Sequence, residues 1–380
     1  MGEKISFLFS DYTLDGIRMS LTPAQMFAEV SEEGVMPQPP RSKVLPVIDE
    51  TLDTAPLSRT FNPADIGEFL DVCSRGRDSF PLRYSPSHAC LKAAEALIDA
   101  IWKTGHFQLG DLSLRTAWKW DPAPIGNMAS LYSGVEAVTS YLDGLGVRIG
   151  GLSFSEGPCS LSFKVTPSAE DDRDPRADLP WEMPFKTTDP VIGRKRRCPD
   201  KMLPEGPDWL IYIPFDTCEF KLGGSLLAEG LGATPAVGPD IGDADYLIDC
   251  YEVVRELVED GIVKAGVTVG EGGLALALRN MLPEGCGATA DISGIMKAYG
   301  EDSPVRVLFS EVPGVLIQIG DADYDYVDAE LMLQDVAYFP IAHPSPGNGP
   351  ESLAFRYDGS GGISGILEPL LNTRTSEGED

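Results

Sequence analysis

Residues 209–228 read WLIYIPFDTCEFKLGGSLLA, and this stretch decides how the rest of the chain is interpreted. Its first six residues form a short apolar run that predicts a buried strand. Gly223-Gly224-Ser225 then leads into an apolar helix that starts at Leu226. A strand that passes through glycines into a helix leaves backbone N–H groups free at the positive helix end, so this turn is predicted to bind an anion. The alternative is a glycine turn that serves only tight strand-to-helix geometry.

A second glycine turn repeats the pattern further along the chain. Gly270-Glu271-Gly272-Gly273-Leu274 follows a predicted strand over 261–269 and begins a helix that runs to Met281. The flanking patterns predict helices over 249–259 and 324–333, and strands near 305–309, 315–319 and 337–341. This order of elements is typical of an α/β sandwich.

The N-terminal half alternates helices and strands. Apolar residues at helical spacing predict helices over 90–102, with Ser85 or Ser87 as N-cap, and over 128–142. Strands are predicted over 113–118, 147–154 and 160–165. Trp118 and Trp120 alternate along the first of these strands and its continuation, and we expect one in the core and the other at an interface or pocket wall.

A proline-rich stretch divides the chain. Residues 167–208 contain eight prolines and both acidic and basic runs, which excludes a long helix or a central strand. We therefore predict a first domain over 1–166, a linker over 167–208 and a second domain over 209–380. Residues 1–60 carry no landmark of either domain.

Charge excludes several functions. The 380 residues include 59 acidic and 30 basic side chains, for a net charge of −29. Such a surface repels phosphate backbones and anionic lipids, so neither nucleic acid nor a membrane is an expected partner. The seven cysteines never form Cys-x-x-Cys and the three histidines lie far apart. We expect reduced thiols, a cytoplasmic protein and no histidine-based metal site.

Seven short motifs, in a fixed order, carry a family resemblance. They are residues 93–97 (AAEAL), 112–120 (LSLRTAWKW), 131–138 (LYSGVEAV), 146–155 (GVRIGGLSFS), 222–228 (LGGSLLA), 270–275 (GEGGLA) and 308–315 (LFSEVPGV). The chain thereby resembles the aminoimidazole-ribonucleotide-synthase (AIR-synthase) superfamily, and within it the auxiliary half of phosphoribosylformylglycinamidine synthase. The resemblance implies an α+β and α/β, two-domain AIR-synthase-like architecture, with an N-terminal mixed sheet with helices and a C-terminal α/β sandwich.

The resemblance also implies a function. Phosphoribosylformylglycinamidine synthases use ATP and glutamine-derived ammonia to convert formylglycinamide ribonucleotide into its amidine, a step of purine synthesis. One of its two homologous halves performs the chemistry, and the other holds a structural nucleotide with magnesium. This sequence shows neither the Glu-Thr-His-Asn-His-Pro stretch of the catalytic half nor a glutaminase triad. The implied function is an auxiliary half or subunit that is not catalytic alone and needs a separate catalytic chain.

The ligand motifs depart from the family pattern. Where the family has a glycine turn with the sequence Gly-Lys-Asp-Ser, Gly150 of this chain is followed by Gly151, Leu152 and Ser153. In the motif that ends at Gly272-Gly273-Leu274, Thr268 stands where the family has a metal-binding aspartate. Magnesium requires hard oxygen ligands with compensating charge, so the implied Mg²⁺ and ADP or ATP are expected to bind weakly or not at all.

The resemblance nevertheless supplies candidate ligands. Glu95 stands where the family places a metal-binding glutamate, and Asp99 lies four residues later on the same helix face. The metal candidates are Glu95, Asp99 and Glu271. The nucleotide candidates are Gly150, Gly151, Ser153, Lys221, Gly223, Gly224, Ser225, Gly272 and Gly273.

Two functions remain open at this point. The chain is either the auxiliary part of an amidine-forming ligase or a repurposed pseudoenzyme that acts as a structural or protein-binding module. The family associates through the sheets of its first domains, which implies a homodimer or a catalytic-half partner. Glu311, in Phe-Ser-Glu, is expected to have a structural role, capping or tying a loop.

Overall fold

A computed structural model describes residues 6–39, 45, 47–52, 66–77, 79–103, 108–167, 198–204, 207–233, 235, 237–346 and 353–357. Up to residue 167 the elements are β1 (Tyr12–Leu14), β2 (Ile17–Arg18), α1 (Pro23–Val30), β3 (Ile48–Glu50), α2 (Ile66–Ser74), α3 (Ser85–Lys103), β4 (Leu112–Trp120), α4 (Asn127–Gly144), β5 (Arg148–Glu156) and β6 (Ser160–Pro167).

The remaining elements begin after the proline-rich stretch. They are β7 (Trp209–Pro214), α5 (Leu226–Gly230), α6 (Ala244–Glu259), β8 (Val263–Val269), α7 (Gly273–Met281), β9 (Cys286–Asp291), α8 (Ser293–Tyr299), α9 (Pro304–Phe309), β10 (Gly314–Ile319), α10 (Tyr324–Leu333), β11 (Phe339–Ala342), β12 (Pro344–Pro346) and β13 (Leu353–Arg356).

The chain divides into two compact units. The first contains Met1–Ala55, Asp78–Arg197 and Gly242–Ile248, and the second contains Pro56–Arg77, Cys198–Ile241 and Asp249–Asp380. The second unit therefore includes α2 from the N-terminal part of the chain. The predicted linker falls largely on residues 168–197, which lie outside the described residues, and it stays a prediction.

A three-stranded mixed sheet forms the main sheet of the first unit. Its order is β5-β4-β6, with β4 parallel to β5 and antiparallel to β6. Helix α3 contacts both α4 and β6. Trp118 and Trp120 are both buried, at 1% and 0% exposure. The expectation that only one of them lies in the core is wrong, because residues two apart on a strand share a face.

Two sheets form the second unit. The larger has the order β11-β7-β10-β8, with all neighbours antiparallel, and every residue of β10 is buried. The smaller has the order β12-β9-β13 and is mixed. The α+β and α/β fold class predicted from the sequence is confirmed.

Most predicted elements are present, and one is of the wrong type. The stretch near 305–309 is helix α9 rather than a strand. Ser303 caps this helix by accepting a hydrogen bond from the backbone N–H of Arg306, and Pro304 occupies its first turn. The stretch from Val305 to Phe309 is too short for its pattern to separate helix from strand, so the capping residues decide.

Among the described residues, none of the helices combines the length and apolar character that crossing a bilayer requires.

Candidate functional site

The turn before α5 is held by a close approach of two backbone segments. A Cβ added to Gly223 would lie 2.4 Å from the carbonyl oxygen of Val237, so only glycine fits there. Gly224 has a φ of 80°, and Ser225 caps α5 through its side chain, which accepts from the N–H of Ala228. The glycines are thus required by backbone geometry alone.

The turn before α7 has the same origin. Gly272 and Gly273 have φ values of 83° and 71°, a region that favours glycine. A Cβ on Gly273 would lie 2.6 Å from the carbonyl oxygen of Leu308. This contact packs the start of α7 against the end of α9 and brings both glycine turns close to the residues that follow α9.

One carboxylate joins the two turns. Glu311 follows α9, and its side chain is only 4% exposed. Its Oε1 accepts the N–H of Leu226 at 2.7 Å and the N–H of Gly272 at 2.9 Å. The turns that the sequence predicts as anion sites therefore share a carboxyl group that the chain itself supplies. The structural role expected for Glu311 agrees with this geometry.

A buried arginine completes the cluster. Arg77 follows α2, and its side chain is 9% exposed. The guanidinium contacts three carboxylates, with Nη2 at 3.1 Å from Glu311, Nε at 3.1 Å from Glu271 and Nη1 at 2.7 Å from Glu229. We call Arg77, Glu229, Glu271 and Glu311 the arginine cluster. All four lie in the second unit.

Burial and charge act against each other in the arginine cluster. Burial raises the pKa of the Glu311 carboxyl to about 7, although Arg77 and the N–H groups of Gly272 and Leu226 lower it. Burial lowers the pKa of Arg77, but the charges of Glu311, Glu271 and Glu229 together raise it. One permanent cation thus faces three carboxyl groups, and the cluster disfavours a further anion.

Lys221, the cation nearest to the first turn in sequence, is already paired. Its Nζ lies 2.6 Å from a carboxylate oxygen of Glu219, and its backbone N–H donates to Oγ of Ser310 at 3.0 Å. Among the predicted nucleotide ligands, Gly223, Gly224, Ser225, Gly272 and Gly273 surround Glu311 through the two turns, whereas Lys221 is bound to a side chain of its own loop.

The remaining nucleotide candidates lie in the first unit and not in a turn. Gly150, Gly151 and Ser153 are part of β5, so the expectation of a glycine bend at Gly150 is wrong. The register jumps from Ile149 opposite Leu114 to Gly151 opposite Arg115, which makes Gly150 the extra residue of a β-bulge. A Cβ there would lie 2.3 Å from Oγ of Ser113, so the glycine is explained by strand packing.

The metal candidates are distributed over both units. Glu95 and Asp99 lie on α3 in the first unit, and Oε2 of Glu95 is 3.0 Å from Nζ of Lys92. Glu271 lies in the second unit and pairs with Arg77. In the part of the chain that is described, His, Cys, Asp and Glu side chains do not gather in groups of three that could hold a metal. The metal assignment stays a prediction.

Sequence reasoning missed Arg77 and Glu229. Arg77 lies 234 residues from Glu311 in the chain and follows a segment without family landmarks. Glu229 is an ordinary acidic residue on a short helix. Only the tertiary fold brings these residues to the glycine turns, and no local pattern marks them.

Comparisons with known proteins place this geometry in a family. Residues 220–328, which include both glycine turns and Glu311, match the family described as AIR synthase related protein, C-terminal domain. The chain is similar to phosphoribosylformylglycinamidine synthase from Homo sapiens, with 26% identity over 270 residues that cover 67% of this chain and 18% of the relative. A probable chloroplastic or mitochondrial homologue from Arabidopsis thaliana is 26% identical over 295 residues, covering 75% and 19%.

Solved structures give more distant similarities. PurLQS from Thermotoga maritima has a TM-score of 0.47 at 12% identity, covering 71% of this chain and 39% of that chain. HypE, a hydrogenase maturation protein from E. coli, has a TM-score of 0.42 at 14% identity, covering 72% and 77%.

The match over residues 220–328 assigns this part of the chain to the family AIR synthase related protein, C-terminal domain. Over a longer stretch the chain is similar to phosphoribosylformylglycinamidine synthases. It spans only 18% and 19% of the length of these two curated relatives.

Proposed function

We propose that this chain is an auxiliary, non-catalytic part of a phosphoribosylformylglycinamidine synthase-like ligase of purine biosynthesis, and that its glycine turns no longer hold a nucleotide. The observation that carries the proposal is the Glu311 carboxyl group, which accepts N–H groups from both turns. A phosphate at either turn would have to displace this group and approach Glu229 and Glu271 as well.

Magnitudes favour loss of nucleotide binding. Charge-assisted hydrogen bonds contribute about 1.5 to 3 kcal/mol each. Replacing the lysine and aspartate of the family turn by Gly151 and Leu152 removes two charged groups, and Thr268 removes a third. Two such losses weaken binding by about two to four orders of magnitude. PurL of Thermotoga maritima has been observed with ADP and with ATP, so the proposal separates this chain from that protein.

The exposed face of the β5-β4-β6 sheet in the first unit favours a partner of opposite charge. Three rows of paired residues cross this face of the β5-β4-β6 sheet. All of these residues except Gly151 are exposed. The rows are Gly151, Arg115 and Lys164, then Ser153, Ala117 and Ser162, then Ser155, Lys119 and Ser160. The face is rich in serine and positively charged, although the chain carries a net charge of −29. Two copies placed face to face would repel, which favours an acidic catalytic chain over a homodimer.

The second candidate is a repurposed pseudoenzyme that acts as a structural or protein-binding module. The arginine cluster favours it equally, since a turn closed by the chain's own carboxyl group needs no ligand to be stable. The two candidates differ in the partner. A neighbouring reading frame that encodes a catalytic half, and co-purifies with this chain, supports the auxiliary subunit, whereas a different partner supports the repurposed module.

Calorimetry tests the loss of the nucleotide. We expect titration of the purified chain with Mg·ADP and Mg·ATP to give no binding in the micromolar range, with a nucleotide-binding phosphoribosylformylglycinamidine synthase as the positive control. Incubation with formylglycinamide ribonucleotide, Mg·ATP and an ammonium salt is expected to give no amidine. Micromolar affinity or turnover by the isolated chain would overturn the proposal.

A further inference from the structure

Helix α10 exposes large apolar side chains. Tyr326, Met332 and Leu333 are 47%, 66% and 77% exposed. The opposite side of the helix is held in the unit by the buried residues Val327 and Leu331. The helix is therefore apolar on two sides, and only one of them packs against other residues that the structure describes.

The exposed residues form one continuous face. At 100° per residue, Asp325, Ala329, Met332 and Leu333 project in neighbouring directions and Tyr326 lies beside Leu333. All five are exposed. We call these five residues the α10 face. Its methionine and leucine are typical of surfaces that accommodate an apolar partner, since methionine adapts its shape to irregular contacts.

The surroundings of the α10 face are acidic. Glu330, Asp260 and Glu256 lie close enough to Tyr326 that their charges raise the pKa of its hydroxyl. Arg255 is buried beneath this region and pairs with Glu252, Glu256 and Glu259, so one cation serves three carboxylates. The sequence contains neither lysine nor arginine from residue 307 to residue 355. The apolar face is thus bordered by more carboxylates than cations.

We propose that the α10 face docks a basic amphipathic helix of a partner protein. Tyr326, Met332 and Leu333 supply the apolar contact, and the surrounding carboxylates attract lysine and arginine on the flanks of the partner helix. A second copy that docks through its own α10 face is a poor occupant, because the two acidic surroundings would repel each other. This inference concerns the second unit alone and does not depend on whether the glycine turns bind nucleotide.

The test uses a synthetic probe of the proposed chemistry. A peptide of about 20 residues carries leucine on one helical face and lysine on the other, and a scrambled peptide of the same composition loses the amphipathic pattern. We expect the full-length chain to bind the amphipathic peptide at least tenfold more tightly than the scrambled one in fluorescence anisotropy. Equal binding of both peptides would mean that charge alone attracts them and would overturn the proposal.

Variants locate the binding surface. We expect Met332→Gln/Leu333→Gln to weaken binding of the amphipathic peptide about tenfold without a change of net charge. Ile125→Gln, at an apolar residue that is 83% exposed in the first unit, is the matched control and should bind like the wild type. Equal affinity in the double variant, or concentration-dependent self-association of the wild type that the double variant abolishes, would refute the docking site.

Discussion

Two glycine pairs of this chain look alike in sequence and differ in structure. Gly272 and Gly273 lie in a turn with positive φ angles, where the N–H of Gly272 donates to Glu311. Gly150 and Gly151 lie in an extended strand, where a bulge packs Gly150 against Ser113. The comparison shows that glycine pairs can persist after ligand charges are lost, because packing alone requires them.

The two regions also differ in how their buried polar atoms are hydrogen-bonded. At the turns, the carboxyl oxygens of Glu311 are engaged by two backbone N–H groups and by Arg77. At the bulge, Oγ of Ser113 is buried and has no hydrogen-bond partner among the residues that the structure describes. The first region thus depends strongly on each polar group, whereas the second does not. The following substitutions test this difference, beginning with the largest expected effect.

Replacing Arg77 should have the largest effect. Arg77→Ala leaves three carboxyl groups without their cation, and Glu311 is almost fully buried. We expect the free energy of unfolding to fall by about 3 kcal/mol in urea denaturation. Arg279→Ala is the matched control, because Arg279 pairs with Asp71 at an exposed site, and we expect a loss below about 1 kcal/mol. Similar losses in the two variants would contradict the importance of the arginine cluster.

The pKa of Glu311 predicts a pH dependence with a defined sign. Because burial raises this pKa to about 7, the native state retains a proton that the unfolded chain releases near pH 4.5. The contribution of Glu311 to stability is therefore fully present below pH 4.5 and is lost as the pH rises to 7. Relative to Glu311→Gln, we expect the wild type to lose roughly 2 to 3 kcal/mol across this window.

Parallel urea titrations of both proteins at several pH values measure this difference. Taking the difference cancels the titration of groups outside the arginine cluster, whose contributions are common to both proteins. A difference that stays constant between pH 4.5 and 7, or that grows in favour of the wild type, would show that the Glu311 carboxyl is not held in its protonated form by burial.

Alanine at the two glycine pairs should separate turn from bulge. Gly273→Ala introduces a Cβ at positive φ, 2.6 Å from a backbone oxygen that cannot move aside, and we expect a loss of about 2 to 3 kcal/mol. Gly150→Ala meets the side chain of Ser113, and we expect about 1 kcal/mol. Ser113→Ala should be nearly neutral and should recover part of the Gly150→Ala loss, as measured by thermal unfolding.

The outcome for the bulge can also contradict the comparison. A Gly150→Ala loss as large as that of Gly273→Ala, without recovery in the Ser113→Ala background, would mean that the strand glycine is as tightly constrained as the turn glycine.

Local patterns in the sequence identified much of the second unit. The helix over 324–333 and the strand over 209–214 have the bounds that periodicity predicts, and both glycine turns are present. The stretch at 304–309 was harder, since a short apolar run interrupted by Arg306 fits a helix or a strand and only Ser303 and Pro304 mark its start.

The site was less accessible to sequence reasoning than the fold. Glycines in a turn and glycines at a bulge give the same letters, so Gly150 and Gly272 could not be distinguished without backbone angles. The partners of Glu311 are separated from it by 39, 85 and 234 residues in the chain. Such distant contacts are set by the tertiary fold and leave no periodic trace in the sequence.

The position of Arg77 has a consequence for dissecting the molecule. Because α2 and Arg77 precede the first unit's main helices in the chain but belong to the second unit, a fragment that starts at Cys198 would lack this guanidinium. Its Glu311 would remain enclosed without a positive neighbour. The second unit can therefore complete its interior only after a segment synthesised much earlier returns to it, which raises the contact order and slows its folding.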